Sequence, residues 1–146
     1  MALVHCIYCS ALAAGQFDDA ALRELLSKAR RRNAELGVTG MLLFHRRSFF
    51  QVLEGERDVV EALFARIAAD PRHVSVVKII LEPIAKRDFG DWSMGLAEAG
   101  GGAWQDVDGL NDFFASGLAL TQLREGQAKS MLAAFRQGLW HMAPDS

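Results

Sequence analysis

Three polar side chains stand at positions where the surrounding pattern predicts apolar residues, and together they could bind a planar polar molecule. Gln51 lies between Phe49 and Leu53 on one face of a predicted strand. Asn33 continues an apolar helical stripe at the next turn, and Tyr8 stands on the first predicted strand. If these elements adjoin, two carboxamides and a phenol converge where each needs a hydrogen-bond partner. A planar heterocycle with polar edges would satisfy all three.

A plainer interpretation gives these three residues no common role. Asn33 would cap the end of its helix, Gln51 would lie on an exposed sheet edge, and Tyr8 would be a core aromatic residue with a hydrated hydroxyl. The spacing alone favours this second interpretation, and it leaves the first open.

Other reactive residue types form no recognisable catalytic pattern. The sequence shows no Ser-His-Asp arrangement, carboxylate pair or glycine-rich phosphate loop, and its four histidines are scattered, at His5, His45, His73 and His141. Hydrolytic and metal catalysis therefore have little support, and no metal site is predicted.

Cys6 and Cys9 are spaced as in a redox or zinc-binding motif, but the local pattern argues against both. Alternation of side chains along residues 3–10 predicts a strand, on which residues three apart point to opposite faces. No second pair of cysteines supplies the remaining zinc ligands. We expect two half-buried reduced thiols.

Composition limits the class of protein. The chain has 146 residues, 51% of them apolar and 23% charged, which suits one globular domain. The net charge is -2, so no overall basic field would hold nucleic acid. No apolar run approaches the roughly 20 residues of a membrane span, and the first residues do not resemble a signal peptide. We therefore expect a cytoplasmic protein without nucleic-acid or membrane partners.

The elements that must position the polar residues follow from hydrophobic periodicity and from helix and turn signals. They are, in order, a strand over residues 3–10, a helix from Asp18 or Asp19 to Gly37, strands Val38–Phe44 and Phe49–Glu54, a helix from about Asp58 to Ala69, and strands Val74–Leu81 and Trp92–Ala97. This βαββαββ order predicts an α+β fold, a ferredoxin-like mixed sheet with both helices on one face.

The second face of that sheet needs a cover, because Phe50 and Val52 are as apolar as their neighbours on the first face. A glycine-rich linker at Ala99–Gly102 separates residues 1–98 from an extension over 99–146. Predicted helices at Val107–Ala115 and at about Leu118–Leu139, the second interrupted by Gly126, would form a C-terminal helical pair covering that face.

Several motifs, taken together and in order, resemble the BLUF family of flavin-using blue-light sensors over about Leu3 to Leu96. They are Ile7-Tyr8-Cys9-Ser10, Asn33 with Val38-Thr39-Gly40-Met41-Leu42, Phe49-Phe50-Gln51-Val52-Leu53-Glu54-Gly55, Asp70-Pro71-Arg72-His73, Arg87-Asp88-Phe89 and Trp92-Ser93-Met94-Gly95.

The resemblance implies an FAD whose ring lies between the two helices, against the sheet. Tyr8 would then donate an electron, coupled to a proton, and Gln51 would lie between Tyr8 and the flavin and rearrange in light. Asn33 would hold the polar edge of the ring. Trp92 and Met94 fit a pair that reports the glutamine state outward, and the sequence leaves open which of them points inward. Ser10 completes this implied switch.

The cofactor-binding residues that the resemblance implies are Tyr8, Leu25, Ala29, Arg32, Asn33, Leu42, Phe49, Gln51, Leu53, Ile67, Asp70, Arg72, His73 and Met94. Asp70, Arg72 and His73 match a loop that meets the ribityl and phosphate groups. Arg32 could contact the same groups, and it fits a solvated helix face equally well.

The predicted function is therefore that of a blue-light photoreceptor and not of an enzyme, over a sensor domain of residues 1–98. Too few residues follow Ala97 for a cyclase or phosphodiesterase module, so we expect the output to pass through a homo-oligomer or a separate downstream protein. The alternatives are a light-insensitive ferredoxin-like ligand- or protein-binding module and a redox enzyme that uses the same flavin.

Overall fold

A mixed six-stranded sheet organises the chain. The computed structural model describes residues 2–13, 15, 18–45, 47–90, 93–98, 125–136 and 141–143. Its elements are β1 (Leu3–Leu12), α1 (Asp19–Leu36), β2 (Thr39–His45), β3 (Ser48–Glu56), α2 (Arg57–Ala69), β4 (His73–Pro83), β5 (Gly95–Glu98), α3 (Glu125–Arg136) and β6 (His141–Ala143). The strand order is β4-β1-β3-β2-β5-β6, and β2 and β5 form the parallel pair. The predicted α+β class and mixed βαββαββ sheet are confirmed.

Local signals account for the bounds of α1. The Asp18 carboxylate accepts a hydrogen bond from the backbone N–H of Ala21 at 2.9 Å, which satisfies one of the free donors of the first turn. Gly37 ends the helix in the left-handed conformation, with φ of 70°, where a side chain would be strained. The predicted cap and stop of this helix are therefore confirmed.

Strand register decides which side chains share a face. Tyr8 on β1 lies opposite Gln51 on β3, which lies opposite Leu42 on β2, so these three share one face. This helix-side face packs against α1 and α2 in one buried cluster, whose members include Val4, Cys6, Tyr8, Leu26, Ala29, Leu42, Phe49, Leu53, Leu63 and Ile67. The hairpin of β2 and β3 thus brings Gln51 to the central strand pair.

The opposite face of the same strands is apolar and also buried, at Ile7, Cys9, Met41, Leu43, Phe50 and Val52. Helix α3 contacts β4, and its Ala128 and Leu132 are buried. This helix begins beside Gly126 and is not interrupted by it. The predicted linker at Ala99–Gly102 and helix at Val107–Ala115 lie outside the described residues. No helix in the described part of the chain is long and apolar enough to cross a membrane.

The end of the sheet differs from the sequence prediction in two respects. The last predicted strand, Trp92–Ala97, is observed as β5 over Gly95–Glu98, because pairing with β2 begins where Gly95 meets Met41. Strand β6 was not predicted, since three residues are too few to show a period. It pairs antiparallel with β5.

Candidate functional site

A cavity of about 580 Å³ opens between α1 and α2 against the helix-side face of the sheet. This volume falls within the range of small-molecule sites. Eleven residues of the predicted cofactor set line it, namely Tyr8, Leu25, Ala29, Arg32, Leu42, Phe49, Gln51, Ile67, Asp70, Arg72 and His73. The other three residues of that set, Asn33, Leu53 and Met94, are fully buried behind or beside the lining.

A chain of three side chains begins at the inner wall of the cavity, with Tyr8 and Gln51, and ends behind it at Met94. The hydroxyl of Tyr8, which is fully buried, donates a hydrogen bond to Oε1 of Gln51. The other end of the same amide, Nε2 of Gln51, donates to Sδ of Met94 at 3.4 Å. Gln51 is therefore held between a phenol and a thioether, with its amide orientation set by both. The plainer interpretation of Gln51, an exposed sheet edge, is wrong, since the residue is buried on a central strand.

Burial also strengthens the hold of the phenol on its proton. Loss of contact with water raises the pKa of Tyr8 far above its ordinary value, and the nearby Arg32 guanidinium opposes this only in part. A phenol keeps its proton at neutral pH even at its ordinary pKa, and burial strengthens this, so Tyr8 acts as the hydrogen-bond donor toward Gln51. The edge of its ring packs against Phe64, with ring centroids 5.2 Å apart.

Asn33 lies beside this chain and not in the cavity lining. Its Nδ2 donates to the backbone carbonyl of Ser93 at 2.8 Å, and its Oδ1 accepts from Nε of Arg32 at 3.4 Å. One turn earlier on α1, Nε of Arg30 donates to the carbonyl of Met94 at 2.9 Å. The Asn33 side chain therefore joins α1 to the segment before β5, and the interpretation of this side chain as a helix cap is wrong.

The outer end of the cavity is polar. Asp70 and Arg72, in the turn between α2 and β4, form an ion pair with 2.7 Å between Nη2 and Oδ2. The hydrogen bonds from Arg72 lower the pKa of Asp70 to about 2. His73 lies 3.0 Å through Nδ1 from Oγ of the buried Ser10, and burial lowers the pKa of His73. Ser10 does not line the cavity itself, but it is hydrogen-bonded to His73, which does.

Five further residues line the cavity that the sequence analysis did not include, namely Lys28, Arg31, Glu35, Leu36 and Arg66. With Arg32 and Arg72, the cations among them surround the opening. Lys28, Arg31 and Glu35 recur at intervals of three and four residues, a spacing that places them along one side of α1. A helical projection of the basic run at residues 28–32 could have found this side.

The two cysteines lie on opposite faces of β1, as the alternation predicts. Cys6 belongs to the helix-side cluster, and Cys9 lies opposite Phe50 on the other face. Both are free and fully buried, so the expectation of half-burial is wrong. Burial raises the pKa of each thiol to about 12.

The sequence profile of the BLUF family, described as sensors of blue-light using FAD, matches residues 3–95. The chain belongs to the BLUF family. BLUF domains are flavin-binding sensors of blue light, and the tyrosine–glutamine hydrogen bond described above lies inside the matched region. The matched region also includes Trp92, which lies outside the described residues. Met94 is buried against Gln51.

Relatives of known function carry a similar region within longer chains. The photoactivated adenylate cyclase subunit beta of Euglena longa is 42% identical over 73 residues, which are 50% of this chain and 8% of that protein. The blue light- and temperature-regulated antirepressor BluF of Escherichia coli is 40% identical over 75 residues, 51% of this chain and 19% of that protein. This chain therefore spans less than a fifth of the length of either relative.

Solved structures of similar length share the fold. The ground state of BlsA aligns with a TM-score of 0.77 and 28% identity over 99% of this chain and 91% of that chain. The dark state of BlrB, a BLUF protein, aligns with a TM-score of 0.67 and 31% identity over 92% of this chain and 96% of that chain.

Proposed function

We propose that this protein is a blue-light photoreceptor that binds FAD and stores the light signal in the hydrogen bonds of Gln51. The observation that carries the proposal is the buried chain from the Tyr8 hydroxyl through the Gln51 amide to the Met94 sulfur, at the wall of a cavity of about 580 Å³. The family match supports a flavin, and the residues around the cavity support the larger FAD form.

The lining fits a flat ring with one polar edge and an anionic tail. Leu25, Ala29, Leu42 and Ile67 offer apolar surface on both sides of the cavity. Gln51 and Tyr8 offer an amide and a phenol at its base. Lys28, Arg31, Arg32, Arg66 and Arg72 surround its opening, where cations suit phosphate oxygens. A pyrophosphate would use more of these cations than a single phosphate, which is why we favour FAD over FMN.

When bound, the flavin supplies the absorption of blue light and an excited state that accepts an electron from a donor at near contact. Tyr8 is that donor in our proposal, and its phenolic proton lies on the hydrogen bond to Oε1 of Gln51. Because the phenol is buried, its proton would leave the Tyr8 oxygen together with the electron and move along the hydrogen bond toward Gln51. Return of the electron would bring the proton back to Tyr8.

Gln51 provides the lasting change. An amide has a donor end and an acceptor end, and it exchanges them by rotating or by changing tautomer. In the dark arrangement, Nε2 of Gln51 donates to the Met94 sulfur. After the exchange, it no longer does. The altered contact at Met94 lies directly before β5, and it gives the change a route out of the cavity.

This mechanism consumes no substrate, and we propose a sensor without an enzymatic activity of its own. The output would be a homo-oligomer whose assembly changes in light, or a separate downstream protein. We also propose a cytoplasmic location, with which the two buried free thiols are compatible.

Absorption spectroscopy on the purified protein tests this function. We expect a yellow protein that releases FAD on denaturation, identified by chromatography against FMN and riboflavin, and that shows a reversible red shift under blue light. Release of FMN would contradict only the choice of FAD over FMN. A colourless protein that no flavin reconstitutes would contradict the whole proposal and favour a light-insensitive module. Steady turnover with a nicotinamide donor would instead indicate a redox enzyme.

A further inference from the structure

Two side chains of α1 hold consecutive backbone carbonyls immediately before β5. Arg30 donates from Nε to the carbonyl of Met94 at 2.9 Å, and Asn33 donates from Nδ2 to the carbonyl of Ser93 at 2.8 Å. Residues three apart lie on the same side of a helix, so the two donors reach the same short segment. We name this pair of hydrogen bonds the α1 latch.

The latch and the hydrogen-bonded chain from Tyr8 through Gln51 meet at Met94. Its carbonyl is held from α1, while its buried sulfur accepts the hydrogen bond from Nε2 of Gln51 on β3. A thioether is a weak acceptor, so the contact of Nε2 with the sulfur, at 3.4 Å, has little holding strength of its own. The hydrogen bond from Arg30 has a charged donor, which makes it the stronger of the two hydrogen bonds at Met94.

Arg30 differs in this respect from other cations on the same helix. Lys28 pairs with Glu24 at 3.0 Å, but both side chains are more than half exposed, a setting in which ion pairs contribute little. Arg30 is partly buried and reaches across to a backbone carbonyl 64 residues away in the sequence. Its hydrogen bond therefore constrains the path of the chain.

We propose that Arg30 is a positioning residue of the light switch, which holds Met94 in its dark-state place against Gln51. Rearrangement of Gln51 displaces Met94 against this hydrogen bond, and the segment passes the displacement to β5, which begins at the next residue. The latch therefore favours the dark state and speeds the return to it. This inference rests on the proposed function.

Substitution of Arg30 on the holoprotein tests the inference. Arg30→Met removes the donor and keeps an unbranched side chain as far as the position of Nε, and Arg30→Lys restores a cationic donor. Arg23→Met is the matched control, since Arg23 is exposed on the same helix. We expect all three variants to bind flavin and form the red shift. Dark recovery should slow by about tenfold in Arg30→Met, the effect of losing one charged hydrogen bond, less in Arg30→Lys, and not in Arg23→Met.

A second measurement needs no flavin. Hydrogen–deuterium exchange of a peptide covering Ser93–Glu98 in the flavin-free protein should quicken by about tenfold in Arg30→Met, because opening of this segment then breaks one hydrogen bond fewer. Exchange in α2 should stay unchanged, and Arg23→Met should match the unsubstituted protein throughout.

The inference would be overturned if Arg30→Met showed the same dark recovery and the same hydrogen–deuterium exchange as Arg23→Met. Dark recovery faster than in the unsubstituted protein would also overturn it. Faster exchange in α2 as well as in Ser93–Glu98 would indicate general loosening and would also overturn it. If Arg30→Met does not fold, Arg30→Lys against Arg23→Lys decides the same question. A failure of the unsubstituted protein to shift in light would contradict the proposed function, and the exchange comparison would still decide whether Arg30 holds the segment.

Discussion

The two faces of one sheet divide the work of this protein between chemistry and packing. On β1 and β3, the helix-side face carries the buried polar residues Tyr8, Ser10 and Gln51 at or beside the cavity. The opposite face is filled by apolar residues such as Ile7 and Phe50, and its buried polar residues, among them His5 and Glu54, do not line this cavity. Because side chains alternate along a strand, two surfaces of different chemistry share the same backbone. The strands could bury apolar residues at the polar positions equally well, so each buried polar residue needs its own explanation.

Buried polarity by itself does not mark a functional site, as the opposite face also shows. Glu54 is fully buried there, and its carboxylate accepts hydrogen bonds from the hydroxyl of Thr39 and from the backbone N–H groups of Asp88 and Phe89. Arg87 completes this arrangement by donating to the carbonyl of Gly37 at 2.7 Å. These partners are mostly backbone, so Glu54 fixes a loop in place. Gln51 differs, because its partners are side chains beside a cavity.

The largest expected effect concerns the helix-side face. Tyr8→Phe and Gln51→Leu should each abolish the reversible red shift while flavin still binds, because each change removes a redox or hydrogen-bonding group and little volume. Illuminated absorption spectra of the purified variants measure this. Phe50→Leu, on the opposite face, is the control and should keep the full shift. A normal shift in either helix-side variant would remove that residue from the mechanism.

Adjacent leucines on β2 give a matched test of the two faces. Leu43 is fully buried on the opposite face, so Leu43→Ala should lower the free energy of unfolding by about 2–5 kcal/mol, as in other cores, and leave flavin affinity unchanged. Leu42 is also buried, but it lines the cavity. Leu42→Ala should therefore weaken flavin binding as well as lower the free energy of unfolding.

Denaturant unfolding of the flavin-free proteins, together with flavin titration, separates these two effects. The division between the faces would fail if Leu43→Ala weakened flavin binding as much as Leu42→Ala does.

A smaller effect is expected at the polar end of the cavity. The pKa of Asp70 is lowered from 3.8 to about 2 by its hydrogen bonds with Arg72, so the pair stabilises the fold fully above about pH 4 and loses this contribution as the pH falls toward 2. Arg72 is largely exposed, and screening by water limits the contribution to about 1 kcal/mol.

Unfolding of the flavin-free Asp70→Asn, Arg72→Gln and double variants between pH 2 and pH 7 measures this pair. The destabilisation by Asp70→Asn should shrink as the pH approaches 2, and additive single effects at pH 7 would show that the two residues do not interact.

The smallest effect is an expected lack of reaction at the two thiols. With the pKa of Cys6 and Cys9 at about 12, only about one thiol in 10⁴ is ionised at pH 8, and both side chains are buried. A thiol reagent should label neither in the native protein and both after denaturation. Labelling of one native cysteine alone would show that its face of the sheet opens more readily.

The sequence predicts most of this fold because its signals are local. Alternation along β1 and β3, the Asp18 cap and the Gly37 stop are each visible within a few residues. To predict that Tyr8 and Gln51 converge, one further inference was needed, namely that β1 and β3 are neighbours in the sheet. The sequence does not reveal that Arg30 and Asn33 reach the 93–94 backbone, because such contacts depend on tertiary packing and leave no periodic trace.

The order of the strands in the sheet has a consequence for the synthesis of the protein. Tyr8 leaves the ribosome first, Gln51 follows 43 residues later, and Met94 follows after 43 more. At about 5–20 residues per second, the nascent chain carries its phenol for several seconds before the sulfur that orients the glutamine has been made. Strand β1 is central in the finished sheet but has no partner at the start. The cavity itself is complete once His73, the last of its lining residues in the sequence, has been made.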